Sequence, residues 1–316
     1  MIAPRRRAGF VLLAVLWVMV GVSAMGLGLA LVARRAAGAA RNRRNATIAM
    51  WDAEDCEERT EVVVAAVLAD QAADLGPATR RDEPTWATLD RAVASAQIVD
   101  DARCSVTLVP GGTTIDVNTA DAEQLTRLVL AVGVAPGRAD SLVDALLDWR
   151  DADDVPRPHG AEDAWYAGQG RPPPRNGPFA DSRELTRVRG FEHSAGLDSL
   201  LGVDPDRIVL DGAPLPVIAA LPGFTDEAVA RVADHRGRGA PIRDLLTFSA
   251  ELSSDARAAL LARYPDLARL TTVEPDAWLV TARGVTGFPQ VTAVLEVRLV
   301  RAGARAAIVR RRTWLE

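Results

Sequence analysis

Six carboxylates crowd into sixteen residues of this chain: Asp148, Asp151, Asp153, Asp154, Glu162 and Asp163. Oxygen donors at that density suit a hard cation, and calcium takes about six to eight of them. Counting Asp151 as the first position of an EF-hand loop puts Asp153 third and Glu162 twelfth, but Val155 and Pro156 fall where that loop wants an oxygen ligand and a glycine. The stretch from Asp151 to Pro178 holds ten prolines and glycines in 28 residues, and an ordered loop that long normally needs an organiser. A calcium site is therefore expected here; the plainer alternative is a solvated acidic face. Two cysteines cannot build a zinc site alone, and His159, His193 and His235 are scattered. No GxSxG, HExxH or complete GxGxxG is present, and the chain has no lysine, which excludes a Walker A loop and Schiff-base chemistry. No enzymatic role is expected.

Charge narrows the partners. The net charge is −5, but residues 1–44 hold eight arginines and no acid, so the remainder carries −13. Ala8 to Ala33 is uncharged over 26 residues, about 39 Å as a helix against a hydrocarbon core of about 30 Å. It is too long for the apolar part of an ordinary signal peptide, and a twin-arginine signal beginning at Arg5 and Arg6 is the weaker rival. Arg5, Arg6 and Arg7 face Arg34, Arg35, Arg41, Arg43 and Arg44 across the span, so arginine counting does not set its orientation.

Beyond the span, Ala49, Ala53, Cys56, Thr60, Val63 and Val67 recur at helical spacing as one buried stripe, and Gly76-Pro77 should end the helix. Alternation then predicts a strand through Ala102, Cys104, Val106 and Leu108, turning at Pro110-Gly111-Gly112 into Thr113 to Val117. Strands return at Ala277 to Val285, Gln290 to Arg301 and Arg305 to Leu315 as an antiparallel meander. Between the two groups, residues 119 to about 270 read as helices, opened by a cap at Asn118 or Thr119. Two helix-hairpin-helix-like passages lie there, Leu128–Val134 with Pro136–Trp149 and Ile218–Phe224 with Thr225–His235. Such hairpins often bind nucleic acid, which makes a membrane-anchored DNA receptor of the competence type the alternative. Residues 140–163 carry −6 and 211–247 carry −1, whereas a phosphate-binding surface should be basic, so no nucleic acid is expected. Cys56 and Cys104 fall on a helix stripe and a strand face that should meet, either bridged or as two buried thiols.

Three features together carry a resemblance. A short basic leader ending in Gly9, then Phe10 and the run Val11 to Val18, looks like a type IV prepilin signal. The sheet is split by a helical insert. The string from Asp148-Trp149-Arg150-Asp151 to Gly160-Ala161-Glu162-Asp163, followed later by Asn176-Gly177-Pro178, resembles the minor pseudopilin K family of type II secretion systems. The resemblance implies an α+β fold: a pilin-like N-terminal helix packed on an antiparallel sheet, with a large all-α, SAM-like insert between strands. Its parts would be a leader over 1–9, a helix over 10–76 spanning the membrane at 10–33, the first part of the sheet over 77–118, the insert over 119–270 and completing strands over 271–316. It also implies cleavage by prepilin peptidase between Gly9 and Phe10, N-methylation of Phe10, and a calcium-binding insert. The chain would be single-pass in the bacterial inner membrane with its bulk in the periplasm, and would join two other minor pseudopilins to cap and prime the pseudopilus. Ala14 stands where most such chains carry glutamate as the fifth mature residue.

Overall fold

The computed structural model describes residues 8–73, 85–98, 103–193, 196–303 and 305–316. The expected helix stop at Gly76-Pro77 and the leader's first seven residues lie outside them. Helix α1 (Ala8–Ala73) runs 66 residues without a break, about 99 Å. It is long and apolar enough to cross a membrane, with a window of mean hydropathy 2.3 that no other described residue covers. Its outer half packs on a four-stranded antiparallel sheet made of β1 (Cys104–Pro110), then, far along the chain, β6 (Ala277–Thr286), β7 (Val291–Ala302) and β8 (Arg305–Leu315), in the order β1-β6-β7-β8. Alternation puts Val106, Trp278, Val280, Ala282, Leu295, Val297 and Leu299 on the face that meets Ala53, Cys56, Val64 and Leu68 of α1.

The helix stripe agrees with expectation through Thr60 and then shifts by one residue: Val64 and Leu68 are buried, while Val63 and Val67 are only half-buried. Another helix, α2 (Thr85–Ile98), brings Leu89 and Val93 into the same core, within the segment expected to hold only strand. Gly284 marks the closest approach of sheet and helix. A Cβ there would overlap Ala49 O and lie 2.7 Å from Ala53 N. Cys56 and Cys104 are joined by a disulfide, their Cα atoms 6.5 Å apart.

The chain leaves the sheet after β1 and does not turn back as a hairpin. Gly112, at φ 73°, instead accepts the Val209 N–H at 2.9 Å, and β2 (Ile115–Asp116) pairs in parallel with β3 (Leu201–Gly202). Helices α3 (Ala122–Ala131), α4 (Pro136–Arg150), α5 (Asp163–Gly168), α6 (Leu215–Ala219), α7 (Asp226–Gly237), α8 (Leu245–Ala250), α9 (Ser254–Ala262) and α10 (Tyr264–Leu270) follow. The segment is thus helix-rich but carries strands: besides the β2–β3 pair, β4 (Ile208–Val209) pairs with β5 (Thr271–Thr272). These short pairs tie its entry and exit together. Asp121, not Asn118 or Thr119, caps α3 by accepting the Gln124 N–H at 2.7 Å; Asp116 takes up the Asn118 N–H and the Thr119 hydroxyl instead.

The insert has its own hydrophobic core, which shares no residue with the core between α1 and the sheet. Arginines join the two bodies. Arg310 donates to Asp204 at 2.5 and 2.9 Å, Arg298 pairs with Asp206, and Arg312 pairs with Asp181, all from the sheet face opposite α1. Arg311, one residue out of phase, points to the other face and approaches Glu54 and Glu57 of α1 at 3.7 and 3.6 Å.

Candidate metal centre

The acidic loop starts where α4 stops. Leu142, Ala145, Leu146 and Trp149 face the insert core, and Asp148 lies on a buried side of the helix too, fully enclosed. Asp151 caps the end, its N–H donating to Leu147 O at 3.1 Å. The loop then wraps an aromatic cluster: Trp149 meets Tyr166 edge-on at 5.5 Å and stacks on Phe179 at 6.3 Å. Asn118 clamps Phe179 through both its backbone groups, at 2.7 and 3.1 Å, and the Tyr166 hydroxyl accepts the Arg189 N–H at 3.1 Å. Aromatic packing and these hydrogen bonds thus help to order the proline-rich loop.

Among the six carboxylates expected as ligands, Asp148, Asp151 and Glu162 are brought together at the base of the loop. Arg157 stands between two of them: its Nη1 donates to Asp148 Oδ1 at 2.8 Å and to Asp151 Oδ2, and its own N–H lies 3.2 and 3.3 Å from the Asp148 oxygens. The bond to Asp151, opposed by burial and helped by the bond to Asp148, holds the guanidinium above its ordinary pKa. Glu162 is only 4% exposed, and neither of its oxygens has a hydrogen-bond donor. Burial first, then the charges of Asp148, Asp151, Asp154 and Asp153, push its pKa up to about 7. Asp154 is exposed and accepts from Asn176 Nδ2 at 2.7 Å; Asn176 holds a left-handed φ of 48°. Asp153 is exposed and accepts the Val155 N–H at 2.9 Å, and Asp163 is exposed in the first turn of α5.

Four buried oxygens thus lack a donor: Glu162 Oε1 and Oε2, Asp151 Oδ1 and Asn176 Oδ1. A buried acceptor left undonated is costly, and oxygens of this kind are what a hard cation takes. Among the described residues, though, no three carboxylates, imidazoles or thiolates converge into a formed metal cluster. Sequence reasoning passed over Arg157, Asn176 and Gly160 as parts of the site. Gly160 has a steric reason, since a Cβ there would overlap Asp148 Oδ2. Asn176 stood in the Asn-Gly-Pro turn, where a left-handed asparagine is a readable signal, but its pairing with Asp154 across 22 residues is not.

The two hairpins take the form expected of them, α3 with α4 and α6 with α7, turning at Gly133 and Gly223, both at positive φ. Arg127 of α3 donates to Ala219 O at 3.1 Å and to Phe224 O, so a basic side chain of the first hairpin is spent on carbonyls of the second.

Comparison with known proteins follows the same outline. Residues 104–197 match the family model for type II secretion system (T2SS), protein K. A curated protein of Escherichia coli strain K12, named putative type II secretion system protein K, is 40% identical over 73 residues, an alignment spanning 22% of this chain and 22% of that protein. Among solved structures, a chain in the crystal structure of the GspK-GspI-GspJ complex from the type 2 secretion system of enterotoxigenic Escherichia coli matches with a TM-score of 0.56 at 15% identity, covering 87% of this chain and 99% of that one. The family-model match runs from β1 through the acidic part of the insert, and the structural match extends the likeness in fold to nearly the whole molecule. The competence-type receptor is not favoured by any of them.

Proposed function

We propose that this chain is a minor pseudopilin of a type II secretion system, a structural, non-enzymatic subunit that caps and primes the periplasmic pseudopilus. One observation carries the reading: a single helix passes from an apolar span into the core of a split antiparallel sheet, and the split holds an insert whose first part matches protein K. On this reading prepilin peptidase cuts between Gly9 and Phe10, Phe10 is N-methylated, α1 anchors the chain in the inner membrane, and the sheet and insert stand in the periplasm. The partners are two other minor pseudopilins, a role motivated by the complex named for the structural relative. Calcium suits the undonated oxygens of Glu162, Asp151 and Asn176, with Asp148, Asp153, Asp154 and Asp163 as further carboxylates nearby. Bound there, it would offset their charge and tie the end of α4 to the start of α5 and to the Asn176 turn.

Ala14 favours the tip. In pilin-like filaments the fifth-residue glutamate is thought to neutralise the amino terminus of a neighbour within the membrane, and an uncompensated charge there is costly. A subunit with nothing ahead of it loses nothing by carrying alanine. Co-expression with the two other minor pseudopilins of the same secretion system tests the reading. A stoichiometric three-subunit complex is expected on affinity purification, and gold-labelled antibody should mark only filament ends. Recovery of the chain alone, or label at regular intervals along the filament, refutes it.

A further inference from the structure

Asp148 has no exposed surface, yet it is a carboxylate three residues from the loop that begins at Asp151. Its compensation comes from one residue, Arg157, which supplies both a guanidinium and a backbone N–H. The same guanidinium holds Asp151 Oδ2, while the other Asp151 oxygen and both Glu162 oxygens remain undonated. Positive charge therefore sits on one side of the acidic base and is missing on the other. Two of the carboxylates lean on the arginine, and among the described residues no formed cluster of three exists.

We propose that Arg157 is a built-in competitor for the cation: it compensates Asp148 and Asp151 while the loop is ion-free, releases Asp151 when a divalent cation is taken up, and so sets the affinity of the site. This rests on the calcium reading above. A guanidinium cannot leave by losing its proton, so it must swing away. Two features permit that. The Arg157 side chain is 36% exposed, so water is at hand to receive it. The Arg157 N–H is fixed in the backbone and keeps its bond to Asp148 after the side chain departs. Asp148 is thus never abandoned, and the exchange concerns Asp151 and Glu162. The arrangement gives a periplasmic loop one folded geometry with and without its ion.

The test uses the full chain in detergent, titrated with calcium chloride after treatment with chelator. For R157Q, calcium is expected to bind about tenfold more tightly than to the wild type, the worth of one charge-assisted hydrogen bond, and the melting temperature in chelator to fall. Unchanged or weaker calcium affinity in R157Q overturns the proposal while leaving the calcium site standing. Absence of calcium binding in both chains overturns the site itself and the proposal with it. A wild-type measurement covers the case in which R157Q does not fold: the side-chain N–H signal of Arg157 in nitrogen-15 spectra should lose its protection from water exchange as calcium saturates. A signal still protected at saturation overturns the proposal.

Discussion

Glu162 allows the acidic loop to be tested through its proton as well as through its metal. Burial and four neighbouring acids move this carboxyl from 4.5 to about 7 in the folded chain. A group whose folded pKa is raised stabilises the fold fully below its unfolded pKa and loses that contribution as pH climbs through the folded value. At about 1.4 kcal/mol per pH unit, the ion-free fold should lose about 3 kcal/mol between pH 4.5 and pH 7 from this one side chain. Glutamine is neutral throughout, so E162Q lacks this loss. At pH 8 in chelator the variant should therefore be the more stable chain, by about 2 to 3 kcal/mol, whereas near pH 4.5 the two should coincide. Calcium should close that gap, because the wild type gains about 2.7 kcal/mol at a hundredfold excess over its dissociation constant and E162Q gains little. Urea unfolding of the full chain in detergent, followed by tryptophan fluorescence with and without calcium, measures all four corners. The difference between the chains isolates Glu162 from the other titrating acids. An E162Q chain less stable than the wild type in chelator at pH 8, or one with the same calcium gain, refutes the reasoning.

Other positions give independent checks. Gly284→Ala puts a methyl group against the backbone of Ala49 and Ala53, which cannot yield as a side chain would, and should cost at least about 2 kcal/mol in the same unfolding assay; an unaffected variant means that the helix and sheet are not in register there. Opening the Cys56–Cys104 bridge, which closes 48 positions of sequence separation, should cost about 4 kcal/mol in the chain-entropy model. Full thiol labelling of the denatured, unreduced protein would show that no bridge exists. Ala14→Glu should let gold label spread from filament ends into the shaft, and labelling that stays at the ends counts against the charge argument.

Much of the sheet was open to reading because β7 alternates cleanly: Leu295, Val297 and Leu299 face the helix while Glu296 and Arg298 face away. The helix stripe was readable only as far as Thr60. Past it valines and alanines stand on several faces, so composition no longer separates Val63 from Val64, and the neighbouring α2 decides which is covered. That helix itself was hidden by its alanines, which fit any environment and dilute the period carried by Leu89 and Val93. Pro110-Gly111-Gly112 has the composition of a tight hairpin, but its glycines serve a different end. A Cβ at Gly112 would overlap Arg207 O, so the residue is small because another strand of the insert crosses it. In the acidic loop the carboxylates were visible as a run. Which of them is buried was not, since that depends on Tyr166, Phe179 and Asn118 arriving from elsewhere.

The ends of the insert nearly touch: Gly111 donates its N–H to Ala277 O at 2.7 Å, and β1 lies beside β6 from Cys104–Gly284 to Pro110–Trp278. Without the insert folded, residues 111–276 would be a loose tether, and closing it to pair those strands would cost about 4.5 kcal/mol in loop entropy. A helical body with a core of its own removes most of that search, because folding it delivers Pro110 and Ala277 to one place. The insert thereby works as a clasp for the sheet beneath it, and a lesion deep in its core, at Leu142 or Val217, should be felt first as slow pairing of β1 with β6, well away from the site of damage.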